Sequence, residues 1–388
     1  MNGTRRAVLG VALLFFVNGV VVGSWLPRLP ELRDRLGIDL SALGLTLALG
    51  GLGSLIGSSL SGVVVGRFGA RRTAVIAGAA VYVVLPLIAV APVALVLALV
   101  LAIIGFIDAQ ADVGMNAVGV RVEEAVGRSV MTRLHGLWSL GTLIGSGFSA
   151  LAVLVGIDLG IQLVIVSVIG LGTALYAARL IPETAPRRRE GERSGRLALG
   201  LMLAGGFAVF IEGAPFDWSA LFLVDVTGTG EALAGTGVIV FTAGMLIGRL
   251  AGDHVVDRFG AIPTLYSGIV VSVLACFFVV GLQTVVTSLI GFAVWGLGIS
   301  VALPVLYKLA GSHRSFGEGS GLAALTVGTR LGFMVAPALI GVAATTWTLP
   351  VALGVIVTLA AVATLLAIRL TIGRPIPVGD SLPGDGVS

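Results

Sequence analysis

Seven polar or charged side chains interrupt stretches of this sequence that are otherwise almost purely apolar. A carboxyl group in an apolar interior can bind and release a proton near neutral pH, and it can hold a polar ligand by hydrogen bonds. Charged groups at such positions are costly to bury and usually mark ion or solute pathways. We therefore predict that proton coupling or solute binding depends on Asn18, Asp108, Asp112, Asn116, Glu212, Asp217 and Arg330.

Three of these residues share one helix face. Asp108, Asp112 and Asn116 are spaced at i, i+4 and i+8, which aligns them along one side of a helix. The alternative for the two acids is a static structural role, either as a hydrogen bond or as an ion pair with Arg121 or Arg133.

Arg330 lies in the middle of an apolar run, where a basic group needs a carboxylate partner or an anionic ligand. An acid from the set above is the expected partner. Aromatic side chains can stack on a ring of a solute, although most of them in helix bundles only pack or anchor the interface. We include Trp138 and Trp295 in the predicted site.

The composition shows what surrounds these groups. The chain has 388 residues, of which 57% are hydrophobic and 11% are charged, whereas a soluble domain carries about 25% charged residues. Lipid must therefore replace water around much of the surface. Apolar runs of membrane-spanning length recur at 6–26, 41–65, 73–91, 93–118, 131–155, 159–180, 197–223, 232–255, 262–282, 284–308, 319–345 and 348–370.

Basic residues follow a membrane topology. If both termini lie in the cytoplasm, the outer loops hold only three basic residues, Arg28, Arg33 and Arg35, and the inner segments hold the rest of the loop arginines. This asymmetry predicts a multi-pass protein of the bacterial cytoplasmic membrane with both termini inside. The predicted parts are a first six-helix bundle (1–180), a cytoplasmic linker (181–196), a second six-helix bundle (197–370) and a flexible tail (371–388).

The two halves of the sequence repeat each other. Residues 62–70 read GVVVGRFGA and residues 253–261 read DHVVDRFGA, at an offset of 191, and Gly57 matches Gly248 at the same offset. A duplicated six-helix unit predicts a pseudo-two-fold structure with a path between the halves, as in alternating-access transporters.

The segment GVVVGRFGARR (62–72), with its second copy, resembles the signature loop of the major facilitator superfamily, and this resemblance extends over the whole chain. It implies an all-α membrane fold of twelve helices in two pseudo-symmetric six-helix bundles. The stretches at 23–30 (GSWLPRLP), 112–116 (DVGMN), 135–139 (HGLWS) and 217–220 (DWSA) resemble a bacterial branch that contains the rhizopine transport protein and fucose-permease-like proteins.

This second resemblance implies a role for Asp108. Residues 105–108 (GFID) are similar to the helix-4 segment of fucose-permease-like proteins, where an acid takes part in proton-coupled sugar transport. Those relatives also depend on an acid in helix 1, and this chain has only Asn18 at mid-depth there. The coupling mechanism of those relatives therefore cannot apply to this chain unchanged.

The resemblance to the major facilitator superfamily implies that the signature loops gate the inner face. Each tight turn needs the backbone freedom of glycine, arginines can bond the carbonyl ends of helices, and Asp257 can complete a charge network that breaks on opening. Gly66 replaces the usual aspartate of the first loop, and Arg249 and Asp253 are expected to pair. The predicted gating residues are Arg67, Gly69, Arg71, Arg249, Asp253, Asp257, Arg258 and Gly260.

These features together predict a secondary transporter, coupled to protons, for a small polar solute such as a sugar, a cyclitol or a related metabolite. The alternative is a proton-antiport efflux pump for drugs or secondary metabolites. The sequence has no nucleotide-binding P-loop, no hydrolase motif and one cysteine, so we predict no enzymatic activity, no cofactor and no metal site. We also predict a monomer in the lipid bilayer that binds no nucleic acid.

Overall fold

A computed structural model describes residues 3–127, 130–182, 196–312 and 320–372. Twelve helical segments in these ranges are long and apolar enough to cross a membrane, which confirms the predicted fold class. In chain order the helices are α1 (Gly3–Trp25), α2 (Leu29–Leu36), α3 (Leu40–Phe68), α4 (Ala70–Val84), α5 (Leu87–Val90), α6 (Ala94–Val126), α7 (Met131–Leu154), α8 (Leu159–Leu180), α9 (Arg196–Asp225), α10 (Glu231–Ala234), α11 (Thr236–Phe259), α12 (Ala261–Leu282), α13 (Val285–Ile299), α14 (Ala302–Ser312), α15 (Ser320–Thr346) and α16 (Leu349–Ile372).

Helices α1–α8 form the N-terminal half and α9–α16 the C-terminal half. Almost all of the predicted linker (181–196) and of the predicted tail (371–388) lies outside the described residues. We call the end of the molecule opposite the two signature loops the outer end. The predicted topology places that end outside the cytoplasm.

Three predicted spans are each broken into two helices. The third breaks before Pro86, between α4 and α5, the eighth breaks at Gly235, between α10 and α11, and the tenth breaks at Ser300, between α13 and α14. Proline has no N–H for the helical hydrogen bond, and its ring collides with the carbonyl group four residues earlier. For Pro304 that carbonyl group belongs to Ser300, which explains why the helix is interrupted there.

The sequence repeat is also a repeat of helix contacts. A Cβ atom at Gly53 of α3 would collide with the carbonyl oxygen of Ala102 in α6, and a Cβ atom at Gly244 of α11 would collide with that of Ala293 in α13. Both members of the second pair lie 191 residues after those of the first. The same small residues therefore set the same close helix crossing in each half.

The two signature loops share one backbone conformation. Gly69 has φ 85° and ψ 151°, and Gly260 has φ 87° and ψ 153°. Side chains with a Cβ atom rarely adopt this region, so glycine is required at both turns. The guanidinium of Arg67 lies 5.7 Å from the ring centroid of Phe68, and its counterpart Arg258 lies 5.5 Å from that of Phe259.

The predicted contact between an arginine and a helix carbonyl end is made by Arg71. Its guanidinium donates a 2.6 Å hydrogen bond to the carbonyl oxygen of Ala178, near the end of α8, where the helix dipole is negative. Asp257 is exposed, and the side chain of Asp253 lies outside the described part of the chain. The gating roles of these residues remain predictions.

The most extensive contacts between the halves run along two helix pairs. Helix α3 packs on α15, and α7 packs on α11. Gly44 of α3 lies against Pro337 and Gly341 of α15, and Gly51 lies against Met334. These contacts run from the outer end to the middle of the helices, so they position the polar residues at mid-depth.

The glycine crossings give a first prediction. Gly53→Ala and Gly244→Ala should each destabilise the protein, because overpacking at a close contact costs about 1–3 kcal/mol. Gly62→Ala is the matched control, since it is on α3 with no other side chain or helix near its Cβ position. It gains the same helix propensity without a collision. Thermal unfolding in detergent should rank the two variants below the control, and equal midpoints for all three would contradict the crossing.

Candidate functional site

A hydrogen-bonded chain begins at Asp108 on α6. The side-chain amide of Asn18 on α1 donates to Asp108 Oδ1 at 2.6 Å, and the indole N–H of Trp138 on α7 donates to Asn18 Oδ1 at 2.9 Å. Helix α1 comes this close to α7 because Gly19 leaves no side chain between it and the backbone at Trp138. The side-chain amide of Asn18 on α1 thus connects Asp108 on α6 with Trp138 on α7.

A second group joins the two halves. Arg330 on α15 donates to Asp112 Oδ2 on α6 at 2.7 Å and to Ser54 Oγ on α3 at 3.1 Å. Asn116 donates to the Asp112 carboxylate at 2.9 Å from one turn further along α6. The acid beside Arg330 therefore comes from the expected set, and it belongs to the opposite half of the molecule.

A third group centres on Arg249 of α11. Its guanidinium donates to Ser139 Oγ on α7 at 2.6 Å and to Glu212 Oε1 on α9 at 3.2 Å. It also lies 5.8 Å from the ring centroid of Trp138, a distance that permits a cation–π interaction. The structure therefore places Arg249 beside the buried Glu212, and its predicted pair with Asp253 involves a side chain outside the described part of the chain.

Trp138 connects the first group with the third. Its N–H is bonded to Asn18, and its ring lies beside the guanidinium of Arg249. A continuous chain of contacts therefore leads from Asp108 in the N-terminal half through Trp138 to Glu212 in the C-terminal half.

Asp217 differs from the other acids. Its side chain is half-buried, and among the described residues it has neither a hydrogen bond nor an ion pair. Gly213 lies one turn earlier on the same face of α9, with no side chain or other helix within 4 Å of its Cβ position. This stretch of α9 therefore has space beside an unpaired carboxyl group.

Trp295 lies away from these groups. It is fully buried in the C-terminal half, and its N–H donates to the carbonyl oxygen of Ile211 at 3.0 Å. Its ring packs against that of Phe292 with centroids 6.3 Å apart. A direct contact between Trp295 and a solute would need this side chain to move.

Two partners are missing from the sequence-based set. Ser54 and Ser139 accept hydrogen bonds from the two arginines, but serine is common in membrane helices and carries no signal by itself. The repeat contains a signal for one of them, because Ser139 and Arg330 occupy equivalent positions at the offset of 191.

The groups together hold more acid than base. The four carboxyl groups of Asp108, Asp112, Glu212 and Asp217 face two arginines, of which Arg330 pairs with Asp112 and Arg249 with Glu212. In the described ranges, Asp108 and Asp217 have no basic partner within ion-pair distance. The arrangement can therefore bind a proton or hydrogen-bond a polar solute at these two acids.

Comparison with solved structures places the fold among transporters. The nucleoside transporter NupG aligns with 94% of this chain and 99% of its own chain, at a TM-score of 0.76 and 14% identity (D323A mutant). A bacterial homolog of the human lysosomal transporter Spinster aligns with 96% of this chain and 98% of its own, at a TM-score of 0.71 and 13% identity. At these identities the likeness shows the fold alone.

Relatives by sequence point to the same family. An uncharacterised MFS-type transporter of Yersinia pestis is 31% identical over 88% of this chain and 90% of its own length. Membrane protein MosC of Rhizobium meliloti is 29% identical over 87% of this chain and 84% of its own. The family model described as Major Facilitator Superfamily matches residues 11–314. The chain therefore belongs to the major facilitator superfamily of membrane transporters.

Proposed function

We propose that this secondary transporter moves a small polar solute, such as a sugar, a cyclitol or a related metabolite, across the cytoplasmic membrane in exchange with or together with protons. The observation that carries the proposal is the Asp108–Asn18 hydrogen bond. It holds a carboxyl group between helices, without an arginine partner among the described residues and beside the arginine-paired Asp112.

Proton coupling follows from this contrast between neighbouring acids. An arginine within ion-pair distance strongly stabilises the charged form of a carboxyl group, whereas one hydrogen bond from a neutral amide stabilises that form less and leaves protonation accessible. Asp112 and Glu212 have arginine partners and Asp108 has Asn18. We therefore assign the exchangeable proton to Asp108, with Asp217 as the second unpaired acid.

Solute binding is assigned to the polar atoms around these acids. Asn18, Asn116 and Trp138 carry amide and indole groups whose present hydrogen bonds a polar solute would replace, and Gly213 leaves space on α9 beside Asp217. A polar solute satisfies such groups better than an apolar one does. The similar fold of NupG belongs to a nucleoside transporter, which is itself a carrier of a polar ring compound.

Alternating access is supported by where the halves touch. The close contacts of Gly44 and Gly51 with α15 lie between the outer end and mid-depth. The similar bacterial homolog of Spinster was solved in an inward-facing and occupied conformation. We assign the present conformation to the same class, with both termini and the signature loops on the cytoplasmic side and the loops gating the inner end.

The test is reconstitution into liposomes that contain a pH-sensitive dye. Sugars, cyclitols and nucleosides are added outside under an imposed pH gradient, and solute uptake and internal pH are followed together. Uptake of one solute linked to proton movement supports the proposal. Uptake that ignores the pH gradient contradicts coupling, and expulsion of an amphipathic dye such as ethidium in exchange for protons supports drug efflux.

The first prediction from the site concerns Asp108. Asp108→Asn cannot release a proton, so we expect gradient-driven uptake to fall to the level of protein-free liposomes. Solute exchange in the absence of a gradient should persist, because the substitution keeps the side-chain shape. Glu231→Gln, which removes an exposed acid at the outer end, is the control and should behave as the wild type does.

Glu212→Gln extends this test to the other half. We expect it to lose gradient-driven uptake as well, since it leaves the guanidinium of Arg249 without its carboxylate. Full gradient-driven uptake by both Asp108→Asn and Glu212→Gln would show that neither acid carries coupling. A solute bound far from α1, α6, α9 and α15 would contradict the proposed site.

The second prediction from the site concerns stability. Arg330→Met leaves the carboxylate of Asp112 without its partner, and breaking a fully buried pair costs about 3–5 kcal/mol. We expect a smaller loss because the two side chains are 15% and 32% exposed. The double variant Asp112→Asn/Arg330→Met removes both charges and should unfold at a higher temperature than Arg330→Met. A double variant no more stable than the single one would contradict the pair.

A further inference from the structure

Three arginines stand in the outer loops, and two of them fasten the short helix α2 to its own half. Buried Arg28, at the start of α2, donates to the carbonyl oxygen of Ile157 and to Gln162 Oε1, each at 2.9 Å. Arg35, near the end of α2, donates to the carbonyl oxygens of Ala89 and Ile88. Helix α2 is therefore a rigid part of the N-terminal half.

The third arginine crosses to the other half. The guanidinium of Arg33, between the two anchors, forms an ion pair with Asp225, the last residue of α9. Asp34 accepts a second hydrogen bond from Arg33 at 2.8 Å and so orients the guanidinium. Arg33, on the anchored helix α2, thus binds the outer end of α9 in the C-terminal half.

The position of this ion pair relates it to the central site. Asp225 lies eight residues after Asp217 on α9, or about 12 Å at 1.5 Å per residue. Pro27 and Gly235 of opposite halves also meet at the outer end, as do Gly44 and Gly341. The pair therefore closes the region directly outside the site.

We propose that Arg33 and Asp225 form a latch that keeps the outer ends of the two halves together and opens when the central site is exposed to the outside. The inference rests on the alternating access that the proposed function includes. It gives the outer-loop arginines a role that membrane topology alone does not require, since positive charge is otherwise depleted on that side.

The surroundings make the latch easy to release. The side chains of Arg33 and Asp225 are 14% and 25% exposed, so water can solvate both charges when they separate. An ion pair in such a setting shifts an equilibrium between two conformations only modestly. A latch of this strength holds the outer end closed and still allows repeated opening.

The test measures opening directly with a reporter cysteine and needs no solute. Asp217→Cys is introduced in a Cys276→Ala background, and a membrane-impermeant maleimide is applied from outside intact cells. Arg33→Gln and Asp225→Asn, each added to the reporter, should raise the outside labelling rate about two- to fivefold. The charge exchange Arg33→Asp/Asp225→Arg should return the rate toward that of the parent.

Glu231→Gln is the matched control, because it also removes one acid from the outer end of the C-terminal half, at an exposed position. It should leave the labelling rate unchanged. Outside labelling at the parent's rate in both Arg33→Gln and Asp225→Asn overturns the latch, including the case in which no variant is labelled. A charge exchange that labels as fast as the single variants, or a control that labels faster than the parent, overturns it as well.

The outcomes separate the latch from the proposed function. Labelling that responds to Arg33 and Asp225 in a protein that carries no proton-linked solute supports the latch and contradicts the function. Proton-linked uptake in a protein whose labelling rate is unchanged by Arg33→Gln and by Asp225→Asn supports the function and overturns the latch. Labelling from inside in inverted vesicles shows for each variant that the protein is folded.

Discussion

An arginine in the apolar layer of a membrane needs a carboxylate or other acceptors beside it, and in this protein that requirement joins the two halves. Arg330 reaches from α15 to Asp112 and Ser54, and Arg249 reaches from α11 to Ser139 as well as to Glu212 in its own half. Leaving a guanidinium without its acceptors in this layer costs several kcal/mol. The contact between the halves therefore includes one ion pair, Arg330–Asp112, and one arginine hydrogen bond, from Arg249 to Ser139.

These contacts depend on how closely the helices approach. Gly53 and Gly244 remove the side chain at equivalent crossings in the two halves, and Gly19 does so where α1 meets α7. The scaffold is thus repeated, but the chemistry is not, because Arg330 stands where the first half has Ser139. Duplication gave two similar frameworks, and divergence at a few positions placed acids and arginines so that they meet across the pseudo-two-fold axis.

The helix count and the glycines of the signature turns were accessible from sequence because they depend on local properties, namely apolar length and backbone freedom. The candidate site was only partly accessible. The spacing of Asp108, Asp112 and Asn116 fixes a helix face, but it does not say which of the two acids has an arginine beside it, since that arginine lies 218 residues from Asp112 in the chain. The contact of Arg249 with Glu212 and the burial of Trp295 follow from tertiary packing that periodicity does not encode. The helix breaks at Pro86 and Ser300 were not predictable from the prolines alone. Pro215 and Pro337 lie within continuous helices of the same protein, so a proline in an apolar run does not by itself indicate a break.

The alternating access proposed for this transporter requires the seam between the halves to hold in one conformation and to separate in the other, and the composition of the seam suits both demands. Where Gly44 meets Gly341 and Gly51 meets Met334, little side chain lies between the backbones, so parting them exposes little apolar surface to water that enters the cleft. Large interlocking side chains at the same places would make each opening costly, because dispersion contacts add up with the number of atoms in contact. The geometry in which the halves close then has to be set by hydrogen-bonding and charged groups instead of by the packing of large side chains. Charged and hydrogen-bonded side chains supply it, since they pair in one geometry only and recover solvation when water enters.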